Sequence, residues 1–167
     1  LELGKSVQKN KGFTLIELMV TIAVLAIIAM IAVPSFGQTL ANSKLKRVAI
    51  ELKSNLENAR SQALLSRSPT VVCVNKNNSN TAVTEATCGG NLSHYTTMSA
   101  SLKKSNIFIV EKSDDITIDS VIKDDVFLFD ARGKTTVKSI KLCGGNRSYT
   151  IKAYIPGTIK IEDGSAC

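Results

Sequence analysis

The sequence has one histidine in 167 residues, no Cys-x-x-Cys pair, and fewer acidic than basic side chains, 14 against 21. His94 has no second imidazole to share a metal with and no sequence neighbour that would make it a base, so it reads as a loop or strand-edge residue. HExxH, GxSxG and GxxxxGK[ST] are all missing, which removes the zinc-protease, serine-hydrolase and phosphate-loop classes those spacings serve. Asp114, Asp115, Asp119, Asp124 and Asp125 are not spaced as an EF-hand loop and read as solvated acidic surface. No catalytic residue, cofactor or metal is expected. The deficit of acid leaves a net charge of +7, which admits anionic partners without demanding one.

Four cysteines are present, Cys73, Cys88, Cys143 and Cys167. All lie beyond the long apolar run described next, and none is placed with His94 as a zinc set would be. An even count points to two disulfides in an oxidising compartment, the periplasm if the cell is bacterial. Three connectivities are open; Cys73 with Cys88 and Cys143 with Cys167 close the shortest loops and are favoured on that ground.

The apolar residues are segregated. Phe13 to Val33 is almost wholly apolar, and as a helix at ~1.5 Å per residue it spans roughly 31 Å, about one bilayer core. Ahead of it, Leu1 to Gly12 carries Lys5, Lys9 and Lys11 against Glu2, a balance that holds this end in the cytoplasm. A secretory signal core is shorter, about 7 to 15 residues, and has no reason to contain Glu17. A carboxylate in a membrane helix costs on the order of 2.5 to 3.5 kcal/mol, so Glu17 calls for a partner.

Gly12-Phe13-Thr14-Leu15-Ile16-Glu17-Leu18-Met19 resembles the class III signal of type IV pilins and type II secretion pseudopilins. The resemblance implies a prepilin peptidase that cuts between Gly12 and Phe13, N-methylation of Phe13, and a role in assembly for Glu17. A glycine at the cut leaves the backbone open to the protease. A new α-amino cation on Phe13 could meet Glu17 of the next subunit, so that each buried charge is compensated only when helices are staggered.

Pro34 is expected to kink the helix or mark its exit from the membrane. Beyond it Leu45, Val48, Ala49, Leu52, Leu56, Ala59 and Ala63 recur at three- and four-residue steps, the apolar face of an amphipathic helix that ends before Pro69. From Thr70 the pattern becomes β-rich. Strands are expected at Thr70–Val74, Tyr95–Leu102, Ile107–Glu111, Ile116–Val121, Val126–Asp130, Thr136–Cys143, Ser148–Ile155 and Thr158–Glu162, with Asn75–Asn91 a surface loop. The expected fold is α+β, the type IV pilin fold. Its parts are a leader at 1–12, a transmembrane helix at 13–33, an amphipathic stalk at 34–68 and a β-rich antiparallel periplasmic head at 69–167.

The turn Phe129-Asp130-Ala131-Arg132-Gly133 and the hairpin Tyr154-Ile155-Pro156-Gly157-Thr158-Ile159-Lys160-Ile161 resemble the C-terminal region of the FimT, FimU and GspH group of minor pilins. The resemblance implies a single-pass inner-membrane subunit that later enters a filament with minor and major pilins, in a tip or priming complex of a type IV pilus. The alternative is the H-type pseudopilin of a type II secretion system. The FimT branch is associated with DNA binding through Gly-Arg-x-Arg, where this chain has Gly157-Thr158-Ile159-Lys160, one arginine missing and the other a lysine. If DNA is bound, Lys138, Lys141, Arg147, Lys152 and Lys160 are the candidate contacts, sequence-independent and salt-sensitive. The linear charge pattern also predicts a bipolar head: Ser105 to Asp130 carries seven acids against two bases, Ala131 to Ile161 seven bases and no acid.

Overall fold

The computed structural model describes residues 13–77 and 79–167, with the side chains of 31–35 excepted. The expected leader at 1–12, Gly12 included, lies outside the described residues. The chain divides into two compact units, residues 1–37 and 38–167.

The first described element is a long helix, α1 (Leu15–Ser66). Its first residues form the first unit and include the apolar run; among the described residues no helix is long and apolar enough to cross a membrane. The sequence-predicted span Phe13–Val33 ends among residues whose side chains lie outside the described set.

In the second unit α1 shows why the three- and four-residue spacing matters. Leu45, Ala49, Leu52, Leu56, Ala59 and Ala63 are essentially fully buried and Val48 nearly so, one stripe of a 3.6-residue helix laid on the sheets. The stripe is flanked by charged side chains that stay in water, among them Lys53 and Glu57, paired at 3.5 Å one turn apart. α1 stops where Arg67 turns left-handed at φ 51°, followed by Pro69, which cannot continue a helix. The break is fixed by buried Asn106, whose amide donates to the Pro69 carbonyl at 3.1 Å, and by Thr70, whose hydroxyl donates to the Ala59 carbonyl at 2.9 Å.

Among the described residues, seven strands follow in two sheets. β1 (Thr70–Val74), β2 (Ile107–Val110) and β4 (Val126–Phe129) form the first, in the order β2-β1-β4. β3 (Thr117–Lys123), β5 (Lys138–Gly144), β6 (Arg147–Ala153) and β7 (Ile159–Ser165) form the second, in the order β3-β5-β6-β7. Pairing is antiparallel except for β1 with β2, which run parallel. A parallel pair needs a long crossover, and here it contains α2 (Glu85–Gly89), a 3-10 turn (Tyr95–Thr97) and α3 (Ala100–Asn106).

That crossover departs from the sequence expectation twice. Tyr95–Leu102 is not a strand: tyrosine and threonine favour β, but Ser99 caps α3 by accepting the N–H of Leu102, and among the described residues no strand pairs with this segment. Within the expected loop Asn75–Asn91, Thr84 and Thr87 exchange side-chain and backbone hydrogen bonds as a capping box and start α2.

The main core joins the buried stripe of α1 to Val72, Val74, Phe127, Phe129, Ile140, Leu142, Ile151 and Ala153. The alternation in β6 does what period two requires: Tyr149, Ile151 and Ala153 face inward. Ile155, next in that pattern, lies past the end of β6 and is exposed. The two sequence-flagged turns meet in space. Gly133 at φ 68° and Gly157 at φ 80° both pack against Arg60 of α1, and a Cβ on Gly157 would sit 2.3 Å from the Gly133 carbonyl oxygen. Only glycine fits that approach.

Candidate assembly surface

The N-terminal end of α1 is built for a single acidic residue. Phe13 and Thr14 precede the helix; the Thr14 hydroxyl accepts the N–H of Glu17 at 3.3 Å and its carbonyl that of Leu18 at 3.2 Å. Thr14 thus caps the helix, and Glu17 sits in the first turn, where the helix dipole favours a negative charge. No ion pair to Glu17 occurs among the described residues. From Phe13 to Met30 every residue is exposed, and Glu17 is the one charged side chain among them. A helix that is apolar on all sides has no solvent-facing stripe, the pattern of a helix surrounded by apolar groups.

Both cysteine pairs are bonded in the head. Cys73 in β1 joins Cys88 in α2 with Cα atoms 6.0 Å apart, and Cys143 in β5 joins Cys167 at 5.9 Å. The first bond ties the crossover to the sheet; the second ties the chain beyond β7 back to β5. Asp119 lies with Cys143 and Cys167 in a group close enough to hold a cation. Sulfurs already bonded to each other supply no thiolate, so the group offers a metal one carboxylate. His94 is exposed, with Nδ1 2.9 Å from the Ser93 hydroxyl.

The bipolar head predicted from the linear charge pattern is not what the fold makes. β3, from the acidic segment, pairs with β5, from the basic one, so opposite charges interleave across one sheet. Lys141 lies 3.6 Å from Asp119, and the carboxyl of Asp119 is held below its usual range chiefly by the N–H groups of Val121 and Ile122. Lys138 donates to the Val126 carbonyl at 2.8 Å, and Asp124 accepts the Ser139 N–H at 2.9 Å. Lys152 bonds Glu162 at 2.7 Å, which raises the lysine above its ordinary pKa, and Arg147 faces Asp163 at 3.5 Å. Lys160 lies 5.8 Å from the Tyr154 ring centroid. Of the five candidate phosphate contacts, all but Lys160 therefore already meet an acidic side chain or a carbonyl. Elsewhere Lys44 pairs with Asp115 at 3.1 Å and Lys76 with Asp114.

One residue escapes sequence reasoning altogether. Lys112, an ordinary lysine in an acidic segment, is buried, and its ammonium donates to the Ile116 carbonyl at 2.6 Å. Loss of solvent lowers its pKa, with Asp114 opposing and Lys76 adding to the shift. A lysine two residues beyond β2 carries no composition signal of its own; only the closure of the 111–116 loop buries it.

Comparison with known proteins follows the same division of the chain. Residues 7–33 match the prokaryotic N-terminal methylation motif, and residues 48–154 match the family of type II transport protein GspH. Fimbrial protein EcpB of Eikenella corrodens is 50% identical over 46 residues, 28% of this chain and 29% of that protein. The type IV major pilin protein PilA of Myxococcus xanthus is 46% identical over 46 residues, 28% of this chain and 21% of that one. The type IV major fimbrial protein FimA of Dichelobacter nodosus is 49% identical over 47 residues, 28% of this chain and 29% of that one. The chain thus spans less than a third of the length of these curated relatives. No solved structure matches it.

Proposed function

The chain belongs to the GspH family of type II transport proteins and carries the methylation motif of pilin-like subunits, and from that premise we propose that it is a FimU- or FimT-like minor pilin of a type IV pilus. In this reading it acts in a tip or priming complex with other pilins. Prepilin peptidase cuts between Gly12 and Phe13, Phe13 is methylated, and the apolar part of α1 anchors the subunit in the inner membrane with the head in the periplasm.

The observation that carries the reading is Glu17: one carboxylate, without a partner in its own chain among the described residues, in a stretch exposed on every side. A neighbouring subunit's terminal amine would supply the missing charge, and apolar residues of lipid or of other helices would cover the rest. Glu17→Ala should abolish incorporation into the filament while leaving the subunit in the membrane fraction. Mass spectrometry of the mature chain should find methylated Phe13 at its start. Unchanged incorporation, or a mature chain beginning elsewhere, overturns the proposal.

An H-type pseudopilin would use the same surface in a different machine. Deleting the gene and scoring twitching and exoprotein secretion separately distinguishes the two. The interleaved charges of the head favour protein partners over DNA, because most of the candidate cations already have an acceptor.

A further inference from the structure

The second sheet ends on a strand whose outer side is open. β7 pairs with β6 alone, in continuous register over all seven residues. The Tyr154 N–H donates to the Thr158 carbonyl at 2.9 Å, and hydrogen-bonded pairs alternate along the ladder from there. Lys160, Glu162 and Gly164 therefore turn their backbone groups toward β6. Those of Ile159, Ile161 and Asp163 point outward.

The other edges of the sheets are obstructed. On β3 the register slips between Ile118 and Lys123, and the Asp119 carboxylate takes the N–H groups of Val121 and Ile122. On β4 the Lys138 ammonium takes the Val126 carbonyl. Beside β2 lie α2 and α3. β7 has no bulge and no proline, and its far end is held by the Ser148 hydroxyl on the Ser165 carbonyl at 2.6 Å and by the Cys143–Cys167 bond. A straight, pre-ordered edge is a template for another strand.

Which strand it accepts is written in its charges. Lys160 and Glu162 are exposed and share one face. We propose that β7 pairs antiparallel with β7 of a second copy about a two-fold axis at Ile161, joining the two four-stranded sheets into one. Outward-pointing positions must face one another, and that leaves few registers. The register centred on Ile161 sets Lys160 against Glu162 of the second copy and Glu162 against its Lys160, as non-hydrogen-bonded pairs whose side chains approach most closely. Shifting the axis by one residue either way sets Lys160 against Lys160 or Glu162 against Glu162. The half-buried Ile161, already packed on the main core, would gain apolar cover from its own counterpart. A two-fold contact of this kind closes on itself, so it makes a dimer and not a fibre. The inference rests on the head alone and stands apart from the filament reading.

The test uses the full chain in detergent, as an equimolar mixture of nitrogen-15-labelled and unlabelled protein, coupled with a zero-length carbodiimide and digested for mass spectrometry. Lys160–Glu162 links are expected in mixed-isotope form. Lys160→Glu and Glu162→Lys should each weaken self-association about tenfold or more, because each sets like charges opposite one another. Mixing the two variants should restore it, since the two acidic side chains of one variant then face the two basic side chains of the other. Links confined to single-isotope peptides, single variants that dimerise like the wild type, or a mixture that fails to recover would each overturn the proposal. Association through the apolar helix alone would survive both reversals and so counts against it.

Discussion

The two halves of α1 differ in composition and meet opposite fates: Phe13–Met30 is nearly all apolar, whereas Leu45–Ala63 mixes apolar residues with charged ones. Between Leu45 and Ala63 the apolar side chains other than Ile50 fall on one stripe and are buried by sheets of the same chain. Between Phe13 and Met30 they fall on every side, and all are exposed. Composition and periodicity together separate them: a stripe bounded by charged residues can be covered by one sheet, whereas a helix apolar all round must be surrounded. The striped half completes a core, and the other finds no cover among the described residues.

The largest test of that contrast is a matched pair of truncations. Phe127 is fully buried in the core that receives the stripe, so Phe127→Ala should cost the head about 3 to 5 kcal/mol in urea unfolding followed by tyrosine fluorescence. Leu18→Ala should leave the same transition within about 0.5 kcal/mol, because Leu18 is exposed. Equal losses would break the distinction between a half that supports the head and a half that does not.

A smaller effect sharpens it. The head adds covalent ties to its packing, and Cys143→Ala with Cys167→Ala should remove about 2 to 4 kcal/mol from its stability. Limited proteolysis should then cut within β7, which that bond helps to hold. The N-terminal half of α1 contains no cysteine, so the helical signal of that half should survive the double substitution.

What the sequence made legible follows the range of the interactions. The buried face of α1 could be read because its spacing is a local property, and the strands of β5 and β6 because alternation is too. Tyr95–Leu102 could not, since a β-rich composition says nothing about whether a neighbouring strand exists to pair with it. The charge pattern failed for a related reason. A chain that is acidic first and basic later looks bipolar in one dimension, but β3 beside β5 brings the two halves into contact. The methylation motif and Glu17 were readable as residues; the lack of a partner for Glu17 among the described residues is visible only in three dimensions.

Lys112 and Glu17 make the same comparison with single charges. Glu17 has no ion-pair partner among the described residues, whereas the Lys112 ammonium is satisfied, in part, by the Ile116 carbonyl of its own loop. Burial lowers the Lys112 pKa from 10.5, so in the window between that lowered value and 10.5 the unfolded chain holds a proton that the folded chain has released. Stability contributed by this residue therefore rises with pH across the window and is least below it. Lys112→Met removes the titration together with one hydrogen bond of about 1 kcal/mol, so its absolute effect at neutral pH is small. Its pH dependence is the diagnostic quantity: the difference in urea midpoint between wild type and Lys112→Met should move in favour of the wild type between pH 7 and about pH 10. A difference that stays flat would mean that the ammonium is solvated in the folded head, and the contrast between a charge compensated within the chain and one that is not would lose its internal example.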